Sequence, residues 1–137
     1  GIELQADWRP LSLLSLRSQA TYTDIDVRNE DTVLTGRPQW TASMVALWQI
    51  TEDWHTALDY RYGGQQWAAS RHTGTLVTEE LNDYHRLDWV LHWQLAPAWK
   101  VHFSVDNLLD ENYATAVGFD APQREIRLGV KFSVDQW

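Results

Sequence analysis

Apolar side chains recur at every second position through seven separate spans, while helical spacing fails almost everywhere. Ile2, Leu4, Ala6 and Trp8 share one face, against Glu3, Gln5, Asp7 and Arg9 on the other. Leu14, Leu16, Ala20 and Tyr22 oppose Ser15, Arg17, Gln19, Thr21 and Thr23. Trp40, Ala42, Met44, Ala46, Trp48 and Ile50 oppose Thr41, Ser43, Val45, Leu47 and Gln49, the least polar second face of the set. Trp54, Leu58, Tyr60 and Tyr62 then stand against His55, Asp59 and Arg61. Leu87, Trp89, Leu91, Trp93 and Leu95 stand against Arg86, Asp88, His92 and Gln94, with Val90 the one apolar intruder. Trp99, Val101, Phe103 and Val105 oppose Lys100, His102, Ser104 and Asp106. Ile126, Leu128, Val130, Phe132 and Val134 oppose Arg127, Gly129, Lys131 and Ser133. No charged residue falls on the apolar face of any span, so each is predicted to be a strand with one apolar and one polar side.

The connections alternate in length. Residues 9–13, 51–53 and 96–98 are tight turns, and longer polar links run over 24–37, 68–83 and 108–123. Short turns at one end and long loops at the other describe an antiparallel up-and-down meander, as in outer-membrane barrels. A lipocalin-like carrier also meanders, with its apolar face turned inward around a small apolar ligand, and that reading stays open on topology alone.

Aromatic positions bear on the choice. Trp8, Trp48, Trp54, Trp93 and Trp99 lie on the apolar face beside short turns, whereas Tyr22, Trp40, Tyr60 and Tyr62 lie on it toward the long loops. Eight residues separate Trp40 from Trp48 and Trp54 from Tyr62. At a strand rise of ~3.3 Å and a tilt of roughly 40° that spans about 20 Å, close to an apolar band bounded by two aromatic girdles. Trp89 is the one that sits mid-strand.

Composition removes other classes. The 137 residues carry 11 Lys+Arg against 19 Asp+Glu, a formal charge of −8, with no basic cluster to neutralise phosphates, so nucleic acid is not an expected partner. Zero Cys excludes disulfides, thiol catalysis and cysteine zinc sites. The longest uncharged run, 38–51, is studded with Gln, Thr and Ser and is no transmembrane helix. Gly1 opens directly into the first strand without a basic-then-apolar leader, which suits an excerpt of a longer protein or one whose leader has been removed. His55, His72, His85, His92 and His102 form no close ligand set in sequence, so neither a metal nor a cofactor is expected. Asp83-Tyr84-His85 could supply a carboxylate and a base, but no Gly-x-Ser-x-Gly elbow or partnered nucleophile accompanies it, and no catalytic residue is assigned.

Residues 105–113 read Val-Asp-Asn-Leu-Leu-Asp-Glu-Asn-Tyr. With this element the chain from Val101 onward resembles the closing strands of a TonB-dependent outer-membrane receptor, a family whose usual form is Asn-Leu-Phe-Asp-x-x-Tyr, here with Leu109 in place of the Phe. A short link ending in Gln123-Arg124 and a final alternating strand from Glu125 follow. Gly36-Arg37-Pro38-Gln39 is similar to the family's lead into a descending strand. Arg127, Gly129, Phe132 and Val134 resemble the signal that such barrels present to the barrel-assembly machinery, although Asp135-Gln136-Trp137 extends past it.

The resemblance implies an all-β fold in which residues 1–137 form the C-terminal segment of a transmembrane barrel, without the plug domain or the N-terminal strands. Seven strands are about a third of a 22-stranded receptor barrel. It implies uptake across a Gram-negative outer membrane of a scarce ligand, an iron-siderophore chelate or a cobalamin-like compound, energised by the TonB complex through the missing plug region. Lipid would meet the apolar face, with Trp8, Tyr22, Trp40, Trp48, Trp54, Tyr62, Trp93 and Trp99 as the aromatic girdle. Arg17, Asp59, Arg61, Arg86, Asp88, His92, Lys100, His102, Asp106, Arg127 and Lys131 would face the lumen and plug. Arg28, Asn29, Glu30 and Asp31 in the first long loop, Arg71 and His72 in the second, and Phe119 in the third are the candidate ligand contacts.

Overall fold

A computed structural model describes residues 1–24, 35–71 and 74–134. Eleven strands follow in chain order: β1 (Ile2–Leu11), β2 (Leu14–Tyr22), β3 (Trp40–Gln49), β4 (Trp54–Gly63), β5 (Gln66–Ser70), β6 (Val77–Leu81), β7 (Tyr84–Ala96), β8 (Trp99–Asp106), β9 (Ala114–Ala116), β10 (Phe119–Asp120) and β11 (Glu125–Phe132). The seven spans of strict alternation are the seven strands of one antiparallel sheet, ordered β1-β2-β3-β4-β7-β8-β11. Two of the three long links are not merely polar loops. The second folds into the β5-β6 hairpin and the third into the β9-β10 hairpin, each a separate two-stranded sheet. The closing strand ends at Phe132, so Val134 lies beyond it, although the Ser133 N–H still donates to the Ala98 carbonyl at 2.9 Å.

The register joins the seven apolar faces into one. Ile2 opposes Tyr22, which opposes Trp40; Trp8 opposes Leu16, then Ala46, Leu58, Trp89, Val105 and Ile126 in successive strands. Because side chains alternate with a period of two, an antiparallel pair in register keeps like faces together across the sheet. Turn chemistry sets that register locally. Between β3 and β4 the Thr51 hydroxyl accepts from the N–H groups of Asp53 at 3.3 Å and Trp54 at 3.2 Å, while the Ile50 N–H donates to the Trp54 carbonyl at 2.9 Å. Pro10, which cannot donate to a ladder, sits in the edge strand β1 where the register shifts.

The sheet has almost no core. Among the described residues only Ala68, Leu81 and Val105 are buried hydrophobics, while Leu4 is 65% and Leu128 is 70% exposed. Each large apolar side chain left in water forgoes roughly 1.5–3 kcal/mol of burial free energy, so a face of this kind is stable only against an apolar medium. Cavities of about 420, 470, 570 and 650 Å³ open on the opposite, polar face, which is therefore the concave side. A lipocalin-like carrier needs the reverse, with apolar residues inside the curve.

Three polar side chains, Ser18, Thr56 and His85, fall on the apolar face of the sheet, and the last two are hydrogen-bonded within it. Thr56, opposite Leu91, donates to the Val90 carbonyl at 2.9 Å and accepts from the Trp89 indole N–H at 2.7 Å. This accounts for the mid-strand Trp89, whose indole N–H is satisfied by the Thr56 hydroxyl on the apolar face. His85, opposite Tyr62, is hydrogen-bonded to the Tyr60 hydroxyl at 2.8 Å through Nδ1.

Candidate functional site

Charges on the concave face pair in two ways. Arg17 on β2 meets Asp7 on β1 at 2.8 Å, and Arg127 on β11 pairs with Asp106 on β8, each across strands. In the centre the register places like charges opposite one another, Arg61 against Arg86 and Asp59 against Asp88. Each arginine instead bonds the aspartate two residues away on its own strand, Arg61 to Asp59 at 2.7 Å and Arg86 to Asp88 at 2.9 Å. Two cations therefore stand side by side toward the loop end, held by carboxylates behind them. Lys100 and Lys131 face each other nearer the short turns.

The loop end is organised by the segment after β8. Asn107, 2% exposed, takes a left-handed backbone (φ 51°), tolerated by Asn among non-glycine residues. Its N–H donates to Asp88 Oδ1 at 2.8 Å, its Nδ2 to the Glu111 carbonyl at 2.9 Å and the Pro122 carbonyl at 3.3 Å, and its Oδ1 accepts from the Glu111 N–H at 3.0 Å. Asp110, also left-handed (φ 55°), accepts from the Arg124 N–H at 3.0 Å and from Arg124 Nη2 at 2.9 Å. These bonds close the loop on itself and deliver Tyr113 to the polar face. There it stacks on Tyr84 with centroids 4.2 Å apart and planes 15° apart, and its hydroxyl lies 3.5 Å from Arg86 Nη1. Tyr84 in turn lies over Gly63, its register partner, where a Cβ would collide with the ring.

Arg61, Arg86, Tyr84, Tyr113, Phe119 and Asp120 line the 420 Å³ cavity beneath the β9-β10 hairpin. Two guanidinium groups beside stacked phenol rings offer fork-shaped donors and flat apolar surface together, the chemistry that holds a planar anionic group.

Of the candidate ligand contacts, Phe119 lines this cavity and is 67% exposed. Arg71 is exposed just after β5, its carbonyl accepting from the Gly74 N–H at 3.1 Å, and does not line it. Arg28, Asn29, Glu30, Asp31 and His72 lie outside the described residues. Tyr84, Tyr113 and Asp120 are site residues that sequence reasoning missed; the Tyr of the closing element was the available signal. The Asp83-Tyr84-His85 idea of an enzyme meets the alternation of the strand, which turns Tyr84 to the concave face and His85 to the apolar one.

The remaining positions are also placed. Arg127, Gly129 and Phe132 lie on β11. On the apolar face, Tyr22 packs on Trp40 at 4.7 Å near the long loops, while Trp54 stacks on Trp93 at 4.7 Å and Trp99 meets Phe132 at 4.6 Å near the short turns. Trp8, Trp48 and Tyr62 keep the same parity in their strands. His55, His92 and His102 fall in one row across β4, β7 and β8. Among the described residues no three His, Cys, Asp or Glu are grouped to hold a metal ion.

A family model for TonB dependent receptor-like β-barrels matches residues 1–108. The ferripyoverdine receptor of the outer membrane of Pseudomonas aeruginosa, solved bound to ferripyoverdine, is 16% identical, with a TM-score of 0.77 over 95% of this chain and 19% of its own. The ferric-catecholate import receptor Fiu of E. coli K12 is 18% identical, with a TM-score of 0.76 over 95% of this chain and 20% of its own. The ferric enterobactin receptor PfeA of P. aeruginosa, solved as a mutant in complex with enterobactin, is 18% identical, with a TM-score of 0.71 over 95% and 22%. The chain thus spans about a fifth of the length of these solved structures, and at such identities it is the fold that is shared. The structural matches extend past residue 108, where the family model stops, into the loop clamp and closing strand. With its family match covering most of its length, and in keeping with a receptor rather than an enzyme, this chain belongs to the TonB-dependent receptor β-barrel family.

Proposed function

We propose that residues 1–137 are the C-terminal part of the wall of a Gram-negative outer-membrane uptake receptor, energised by the TonB complex through a plug domain, and that its cargo is an anionic metal chelate of the siderophore type. The observation that carries the ligand class is the cavity at the loop end, where Arg61 and Arg86 stand side by side against the Tyr84-Tyr113 stack. A cobalamin-like cargo would gain less from two adjacent guanidinium groups than an anionic chelate does. In this reading the long loops are extracellular, the short turns periplasmic, and the aromatic residues at both ends of the apolar face form girdles at the lipid interfaces. The concave charges face lumen water and the plug, and Arg127, Gly129 and Phe132 on the last strand, followed by Val134, meet the barrel-assembly machinery. Support for the outer membrane comes from the family and from the apolar face, which needs hydrocarbon around it.

The intact receptor, purified in detergent, tests this with ferripyoverdine and ferric enterobactin as probes, read by quenching of tryptophan fluorescence. Arg61→Ala and Arg86→Ala are each expected to weaken the bound probe by about tenfold or more, the loss of one charge-assisted hydrogen bond or two. Arg17→Ala, outside the cavity, leaves affinity unchanged. Equal affinity in all three variants would remove this cavity from the ligand path.

A further inference from the structure

We propose that the row of histidines near the short-turn end of the concave face is a binding site for a borderline divalent transition-metal ion, strongest for Cu(II), with His92 and His102 as its protein ligands. His92 opposes His102 across β7 and β8, and their Nδ1 atoms are 3.3 Å apart with ring centroids at 4.7 Å. Two nitrogens bound at ~2.0–2.1 Å to one ion are about 3.4 Å from each other in tetrahedral geometry and about 2.9 Å at cis positions of a tetragonal one, so the pair stands at the tetrahedral spacing and a few tenths of an ångström of ring movement brings it to the tetragonal spacing that Cu(II) prefers. Neutral imidazole suits Cu(II), Ni(II) and Zn(II), and affinity for a given nitrogen site peaks at Cu(II).

The surroundings leave room for the rest of a coordination sphere. The next register position after His102 is Gly129, where an added Cβ would meet His102 Cβ only at 3.9 Å, so that side of the imidazole is open. Both histidines line the cavity of about 650 Å³ on the concave face, and water can fill the remaining coordination positions there. Lys100 and Lys131 in the same cavity repel a dication, and the carboxylates of Glu52 and Asp53, in the β3-β4 turn that also lines it, oppose them. That turn is fastened to the site: the Gln94 N–H donates to the Asp53 carbonyl at 2.8 Å. His55, opposite His92 on β4, lines the cavity from the other side as a third imidazole. The inference rests on the register of β4, β7 and β8 and is independent of the cargo assigned above.

The test uses the intact receptor in detergent, free of any polyhistidine tag, titrated with CuCl₂ in a non-coordinating buffer. The wild type is expected to show a Cu(II) electron paramagnetic resonance spectrum with nitrogen superhyperfine splitting. His92→Gln and His102→Gln each weaken this binding by at least about tenfold, as loss of a ligand should, while His85→Gln on the apolar face leaves it unchanged. Heat-modifiable electrophoretic mobility reports whether each variant has folded. A readout on the wild type alone covers a variant that has not: Cu(II) should protect His92 and His102, but not His85, from diethylpyrocarbonate, scored by mass spectrometry. Wild-type affinity in both variants, or no nitrogen-ligated Cu(II) signal up to ~1 mM, the weakest binding worth assigning, overturns the proposal.

Discussion

Asn107 concentrates the work of the closing motif in one side chain. It is buried, holds a left-handed backbone, and ties β7, the loop and the residue before the last link together through Asp88, Glu111 and Pro122. Asn107→Ala leaves the Glu111 N–H without its side-chain acceptor and puts Ala in a conformation it adopts at a cost. The expected loss is about 2–4 kcal/mol, the sum of one unsatisfied buried group and lost hydrogen bonds. Urea unfolding of the receptor in lipid vesicles measures it, and a loss below ~1 kcal/mol, within the range of a single ordinary hydrogen bond, would mean the loop is held by other contacts. In the sequence this segment was legible only as the family-like element of residues 105–113 and not as a clamp, because Asp88, Pro122 and, for Asp110, Arg124 lie 14 to 19 residues from the groups they bond. The Tyr84-Tyr113 stack was not legible either, since it joins two elements whose approach only the folded loop determines.

At the scale of the strand, parity is what the sequence states and pairing is what it leaves out. A period of two identifies the two faces without reference to any neighbour, which is why all seven strands of the sheet were readable, within a few residues at their ends. The β5-β6 and β9-β10 hairpins escaped because Gln-Trp-Ala-Ala-Ser and Val-Thr-Glu-Glu-Leu carry no alternation, and β9 and β10 are only three and two residues long. The register of β4 against β7, which puts His55 beside His92, follows a long intervening link and no turn rule could supply it. Parity does make a firm prediction at Leu91, which lies mid-strand between Thr56 and Phe103 on the apolar face. Leu91→Arg in the intact barrel should cost roughly 2–4 kcal/mol if that face meets the bilayer midplane. Unfolding from vesicles reads the value, and no loss would mean the face does not meet hydrocarbon.

Across the whole molecule, the apolar face and the free edges of β1 and β11 set the conditions under which this chain can exist. Expressed by itself without detergent it should sediment as aggregate, because neither edge is paired and the outer face has nothing apolar to meet; a monodisperse monomer in plain buffer would refute a lipid-facing surface. Within a closed barrel a different hazard governs assembly. A one-residue slip between β4 and β7 would turn charges into the lipid and is self-correcting, but a two-residue slip preserves both faces. Electrostatics would welcome it, since Arg61 would then stand opposite Asp88 rather than Arg86. Gly63 rejects it: Tyr84 needs a partner without a Cβ, and two positions along in either direction it would land on Arg61 or Gln65. The glycine thus acts as a notch and the tyrosine as its key, and together they give this pair of strands an address that charge alone would misread.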